Sequence, residues 1–174
     1  RYQPSDFQAN KVIFARSENE RQIEKVLIVE REIDFGEIVP LNPEWGPIWA
    51  EFEISSSFAG KILNFAFKQP IVWIDLYTRN EQKLTFRLIP PMAKAGFLLA
   101  PTISNAIEFV KFGWLHDSNL NSPASFSIRS NDTSGILFKS KIRMRLSQLQ
   151  MEPPTPNLTI SESLKDALGI VENQ

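Results

Sequence analysis

The stretch at residues 136–146, ILFKSKIRMRL, most limits what this chain can become. Ile136, Phe138, Ile142, Met144 and Leu146 fall on one side of an extended backbone, and Lys139, Lys141, Arg143 and Arg145 on the other. Strand side chains alternate between faces, so a period of two marks a strand with one dry and one wet face. A helix at 3.6 residues per turn would mix the two sets.

The same period recurs. In residues 48–55 (IWAEFEIS), Ile48, Ala50, Phe52 and Ile54 oppose Trp49, Glu51 and Glu53. In residues 71–78 (IVWIDLYT), Val72, Ile74 and Leu76 oppose Trp73, Asp75 and Tyr77. In residues 83–89 (KLTFRLI), Leu84, Phe86 and Leu88 read as buried, Thr85 and Arg87 as exposed. Residues 11–15, 25–31, 61–68, 108–114 and 124–130 add strand candidates, the last burying Phe126 and Ile128. Residues 79–82 (RNEQ) make a hairpin-length turn, residues 34–47 (DFGEIVPLNPEWGP) a long loop, and residues 104–108 one helical turn. Residues 18–24 read as a charged, helix-permissive turn. About nine short strands with little helix predict an all-β fold: a two-sheet antiparallel sandwich, jelly-roll or galactose-binding-like. The 13 Phe and 4 Trp against 2 Tyr suit a thick sandwich core.

The sandwich domain is expected to span residues 1–150. Residues 151–174 then hold a proline linker (EPPTP, residues 152–156) and a short amphipathic C-terminal helix, with a capping box at Thr159–Glu162 and a stop at Gly169. No run reaches the roughly 20 apolar residues of a membrane helix. No signal peptide is present, and the chain opens on Arg1 without a methionine, so it reads as a piece of a longer protein or as a processed one.

Several chemistries are excluded or weakened. A net charge of −1 gives no general attraction to nucleic acid. The absence of cysteine removes thiolate metal sites and thiol nucleophiles, and a lone His116 removes multi-histidine metal sites. His116 and Asp117 are adjacent, so in an extended segment they point apart, and no G-x-S-x-G elbow supplies a nucleophile. Nucleotide-binding glycine loops are also absent. The oxygen-rich turns Asn131-Asp132 and Asp117-Asn119-Asn121 match turn chemistry better than a calcium site. Sequons at Asn131 and Asn157 carry little weight. No cofactor and no metal are expected.

In residues 85–103 (TFRLIPPMAKAGFLLAPTI), Lys94 is the one catalytic suspect. Its neighbours are small, so it reads as a solvated lysine on a corner where the chain changes sheets. Glu51 and Glu53, joined by Asp75 from a neighbouring strand, could serve as a glycosidase pair, but the spacing is common on wet sheet faces. The basic stripe Lys139, Lys141, Arg143 and Arg145 is either a cross-strand charge ladder or a groove for acidic glycans or headgroups. Trp49, Trp73 and Tyr77 occupy the polar-facing side beside Asp75 and Arg87, with Trp45 and Trp114 at loop edges. Flat aromatics among charges suit sugar binding; they suit a secondary core equally well.

Residues 86–101 (FRLIPPMAKAGFLLAP), followed by IEF at residues 107–109, ASFSIR at 124–129 and the 136–146 stretch, resemble the extracytoplasmic β-domain of bacterial multi-spanning membrane proteins. Those proteins are grouped with glycosyltransferase-like and surface-polysaccharide proteins. The resemblance implies a periplasmic, jelly-roll-like, carbohydrate-binding domain tethered by membrane helices elsewhere in the protein, and it carries over no active-site residue. The function expected is therefore a non-catalytic binding or accessory module for envelope glycans. The alternatives are a structural or protein-interaction domain of a membrane assembly and, last, a glycan hydrolase. Ligand identity and oligomeric state are not legible.

Overall fold

The computed structural model describes residues 2–9, 11–16, 22–58, 60, 62, 71–80, 82–115, 120–132, 136–151 and 161–169. The first strands are β1 (Tyr2–Gln8), β2 (Lys11–Arg16), β3 (Ile23–Asp34), β4 (Ile38–Pro40) and β5 (Ile48–Glu53). Then come β6 (Val72–Thr78), β7 (Lys83–Leu88), helix α1 (Pro90–Ala95), β8 (Phe97–Ala100) and helix α2 (Ala106–Val110). A π-helical turn (Lys111–Leu115), β9 (Pro123–Ser130), β10 (Lys141–Met151) and helix α3 (Glu162–Leu168) complete the chain. These elements divide into two compact units, one of residues 25–102 and 121–149, the other of residues 1–24, 103–120 and 150–174.

The first unit is an antiparallel sandwich. Its sheets have the orders β3-β10-β5-β8 and β4-β9-β6-β7. The chain changes sheet at every connection except the β6–β7 hairpin, where the Thr78 amide donates to the Gln82 carbonyl at 2.9 Å. Ala50, Phe52, Leu99, Ile142, Met144 and Leu146 from one sheet meet Val72, Ile74, Leu76, Phe126 and Ile128 from the other in a single core. Phe52 and Phe126, both fully buried, meet edge-on with centroids 5.5 Å apart. Burying one such side chain stabilises the fold by about 2 kcal/mol. The alternation read in the sequence is what supplies this interior.

The second unit is a hairpin with two short helices. β1 pairs antiparallel with β2, and the register slips between Pro4 and Asp6. Buried Val110, Leu164 and Leu168 pack with Phe7, Val12, Ile107 and Trp114. Ser161 caps α3, accepting from the Leu164 amide, and Gly169 ends it in the left-handed conformation. The Ser161 and Ser163 hydroxyls also donate to Asp6 Oδ1, at 2.5 and 2.6 Å. These two hydroxyls, with the Phe7 amide, hold the Asp6 carboxyl down at about 2.

Several local expectations are corrected. Residues 1–16 hold two strands, because the bulge beside Pro4 lets a proline-containing segment pair. The 34–47 segment contains β4, a three-residue edge strand ending on Pro40, and a 3-10 turn at Pro43–Trp45. Residues 108–114 are helical. Asn105 caps α2 by accepting from the Glu108 amide, and Ile107, Val110 and Trp114 recur at helical spacing onto one apolar cluster. β10 starts at Lys141, so Ile136 is exposed and Phe138 reaches only an isolated bridge to Ser56. Phe86 is 49% exposed because β7 is an edge strand. The corner at residues 90–96 is helix α1, whose first positions need no amide donor and so accept both prolines. It joins β7 in one sheet to β8 in the other, as the corner reading required. Most of the 61–68 strand candidate, the 152–156 linker, Thr159 and His116 lie outside the described residues. No described helix is long and apolar enough to cross a membrane.

Candidate functional site

Each sheet of the sandwich has an outer face, and the residues singled out in the sequence divide between them. On β4-β9-β6-β7, the strand registers fix a grid of outward positions. Trp73 of β6 stands between Arg129 of β9 and Arg87 of β7. In the next row Ile38, Ser127, Asp75 and Thr85 run across all four strands. In the third, Pro40, Ser125, Tyr77 and Lys83 do the same. Neighbouring strands are about 4.8 Å apart and same-face residues along a strand about 7 Å, so Arg87 and Arg129 flank Trp73 with backbones about 10 Å apart.

Asp75 organises this grid. Its side chain is 2% exposed although it lies on an outer face. Thr85 Oγ1 donates to Oδ1 at 2.7 Å, Arg129 Nε to Oδ2 at 2.8 Å, and Lys83 Nζ stands 2.9 Å from Oδ2. Burial pushes the carboxyl up; the Arg129, Thr85 and Lys83 donors together outweigh it and bring it to about 2. The carboxylate is thus ionised, saturated with donors and shielded from a ligand. Its partners are thereby aimed: the Arg129 guanidinium carbon lies 5.5 Å from the Trp73 ring centre, and Lys83 Nζ 5.8 Å from that of Tyr77. Trp73 and Tyr77 are half-buried, and Arg87 is exposed.

Trp49 belongs elsewhere. It is on β5, in the other sheet, so it cannot join Trp73, Asp75 and Tyr77. Lys25 Nζ lies 4.1 Å from its ring centre, and Gly96 closes over its indole edge, where its buried Nε1 finds no acceptor among the described residues. Trp45 packs on the sandwich core and Trp114 in the hairpin unit, so neither lines a face.

Three cations of the basic stripe, Lys141, Arg143 and Arg145, lie on the same outer face as Trp49 and are paired. Lys141 reaches Asp34 at 2.7 Å, and Arg143 and Arg145 converge on Glu30 at 2.5 and 3.2 Å. Arg145 also approaches Glu51 at 3.6 Å, as does Lys25. Lys94, on α1, pairs with Glu53 at 2.8 Å, and Lys139 is exposed beyond the start of β10. Lys94 holds Glu53 below the usual carboxylate range, and Arg143, with Arg145, does the same to Glu30. The hollows here, about 230 and 380 Å³ beside Lys94 and about 580 Å³ beside Lys139, have largely charged and polar walls, and only the second is bordered by a partly exposed ring, the half-buried Phe138. Asp75, expected from the sequence to join Glu51 and Glu53, is on the opposite sheet.

Arg129, Lys83, Ser127 and Thr85 complete the grid and were not singled out in the sequence. The alternation in residues 124–130 showed Ser127 and Arg129 facing outward; only the pairing of β9 with β6 brings them to Asp75. Asn131 accepts the Ile71 amide at 2.8 Å and Asp132 the Leu137 amide at 2.7 Å, which is turn chemistry. Among the described residues no group of three or more acidic or histidine side chains could hold a metal ion. Compared with known family models, curated proteins and solved structures, the chain matches none.

Proposed function

We propose that this chain is a non-catalytic glycan-binding module of the jelly-roll kind, part of the extracytoplasmic side of a bacterial membrane protein, and that the outer face of β4-β9-β6-β7 is its binding surface. The observation that carries the reading is the outward line Trp73, Asp75 and Tyr77 of β6, whose half-buried rings stand beside the Arg129 and Lys83 groups that one saturated carboxylate holds. Rings held in this way present C–H-stacking surface without a rotamer entropy loss on binding. Ser125, Ser127 and Thr85 bring hydroxyl side chains to the same rows. Strands that alternate between two four-stranded sheets suit a jelly roll, an architecture that lectin domains use. The extracytoplasmic placement rests on the resemblance of residues 86–146.

Hydrolysis is disfavoured by the state of the acids. A two-carboxylate glycosidase keeps one carboxyl protonated near neutral pH. Here Glu53 and Asp75 are both held below their ordinary range, and they lie on opposite sheets.

A glycan array probed with the intact chain tests the reading. Binding should be lost in Trp73→Ala/Tyr77→Ala and retained in Lys141→Ala, on the other face. Binding by no glycan, or undiminished binding by the double variant, would overturn it.

A further inference from the structure

The charge balance of the grid goes one step further than glycan binding and rests on that reading. Three cations, Lys83, Arg87 and Arg129, share this face with one carboxylate, Asp75. Asp75 is already divided between Arg129, Lys83 and the Thr85 hydroxyl. Arg87 takes no part: it makes no hydrogen bond or ion pair with any described residue. It is exposed and stands directly across the ladder from Trp73. The other flank of Trp73 is occupied, because Arg129 lies against the ring and is tied back to Asp75. A ligand that meets Trp73 therefore meets it from the Arg87 side.

We infer that the glycans taken by this face are acidic, with a sugar ring against Trp73 and its carboxylate or phosphate group on Arg87. A guanidinium offers parallel N–H donors that match either anion in a two-pronged contact, which a hydroxyl cannot reproduce. On the opposite face Lys94, Lys141, Arg143 and Arg145 are already engaged with Glu53, Asp34, Glu30 and Glu51, and no exposed ring among the described residues stands beside the remaining Lys139. Arg87 acts on a group that a neutral sugar lacks, so its removal changes selectivity without abolishing recognition.

Calorimetric titration of the intact chain with oligosaccharides of one length, in neutral, uronate-bearing and phosphate-bearing forms, decides the matter. One or both anionic forms should bind about tenfold tighter than the neutral form at low salt, and the two anionic arms identify the preferred group. The advantage should shrink as salt is raised. Arg87→Ala should bring all three forms to within about twofold of one another, and Arg87→Lys should recover part of the preference. Equal affinity for neutral and anionic forms would overturn the acidic selectivity and leave glycan binding standing. A preference that survives in Arg87→Ala would overturn the role of Arg87. Binding of none of the three would overturn the glycan reading itself.

Discussion

On the outer face of β3-β10-β5-β8, five cations (Lys25, Lys94, Lys141, Arg143 and Arg145) share four carboxylates (Glu30, Asp34, Glu51 and Glu53), most of them well exposed. On the outer face of β4-β9-β6-β7, two cations, Lys83 and Arg129, hold one carboxylate that is almost fully buried, and a third cation, Arg87, stands apart from it. Charge is spread on the first face and concentrated on the second. Exposed pairs contribute little individually, because solvent screens them and two long side chains must be ordered for each. A buried carboxylate with all its donors in place fixes the geometry of everything that touches it. The first face is a soluble coat for a sheet, and the second has the preorganisation that binding requires.

The sharpest way to break the contrast is at the seam of the coated face. Gly96 has φ +92, and a Cβ there would lie 2.1 Å from Trp49 Nε1. Gly96→Ala should cost about 3 kcal/mol in urea unfolding, showing that this face is sensitive to packing where it is insensitive to charge. Asp75→Ala should cost about 2 kcal/mol, since it frees Arg129 and Lys83 and removes the Thr85 hydrogen bond. It should also weaken glycan binding without touching a ligand.

Acid should withdraw the same contribution. The Asp75 carboxyl lies near 2 in the fold against an ordinary 3.8. A depressed pKa stabilises the folded state above the ordinary value, so the contribution is intact above about pH 4 and is lost as pH falls towards 2. Asp6 titrates over the same window, so the Asp75 share is the difference in acid-unfolding slope between the parent and Asp75→Ala. Carboxyl NMR should place the Asp75 midpoint near 2; an ordinary midpoint would break the account of the grid. Smallest of all, Glu30→Gln should barely move the urea-unfolding midpoint despite its contacts with two arginines, and less still in high salt. A loss as large as that of Asp75→Ala would erase the distinction between the faces.

What the sequence revealed follows the range of each signal. Alternation is local, so the inward rows of β5, β6 and the first half of β10, and the outward set Trp73, Asp75, Tyr77 and Arg87, were legible. Which strands lie side by side is not local. Arg129 is 54 positions from Asp75, and Arg143 is 113 from Glu30, so neither partnership has a mark in the chain near either residue. Trp49 has the same local pattern as Trp73 and was grouped with it for that reason; only the sheet order separates them. Residues 108–114 misled because Phe109, Val110, Phe112 and Trp114 satisfy a strand pattern loosely, while the Asn105 cap and a receptive apolar cluster decide for helix. β4 was hidden by its length, three residues beside a proline.

The clamp between Asp6 and Ser161 spans 155 positions and so bears on the order of events during synthesis. During synthesis the hairpin of β1 and β2 emerges well before the helix that packs with it. Until Leu164 and Leu168 emerge, Phe7 and Val12 have nothing to bury against from that end of the chain. The small unit is therefore completed only after β10 has left the ribosome, and a chain ending before residue 161 leaves its hairpin packed on α2 and the π-helical turn alone.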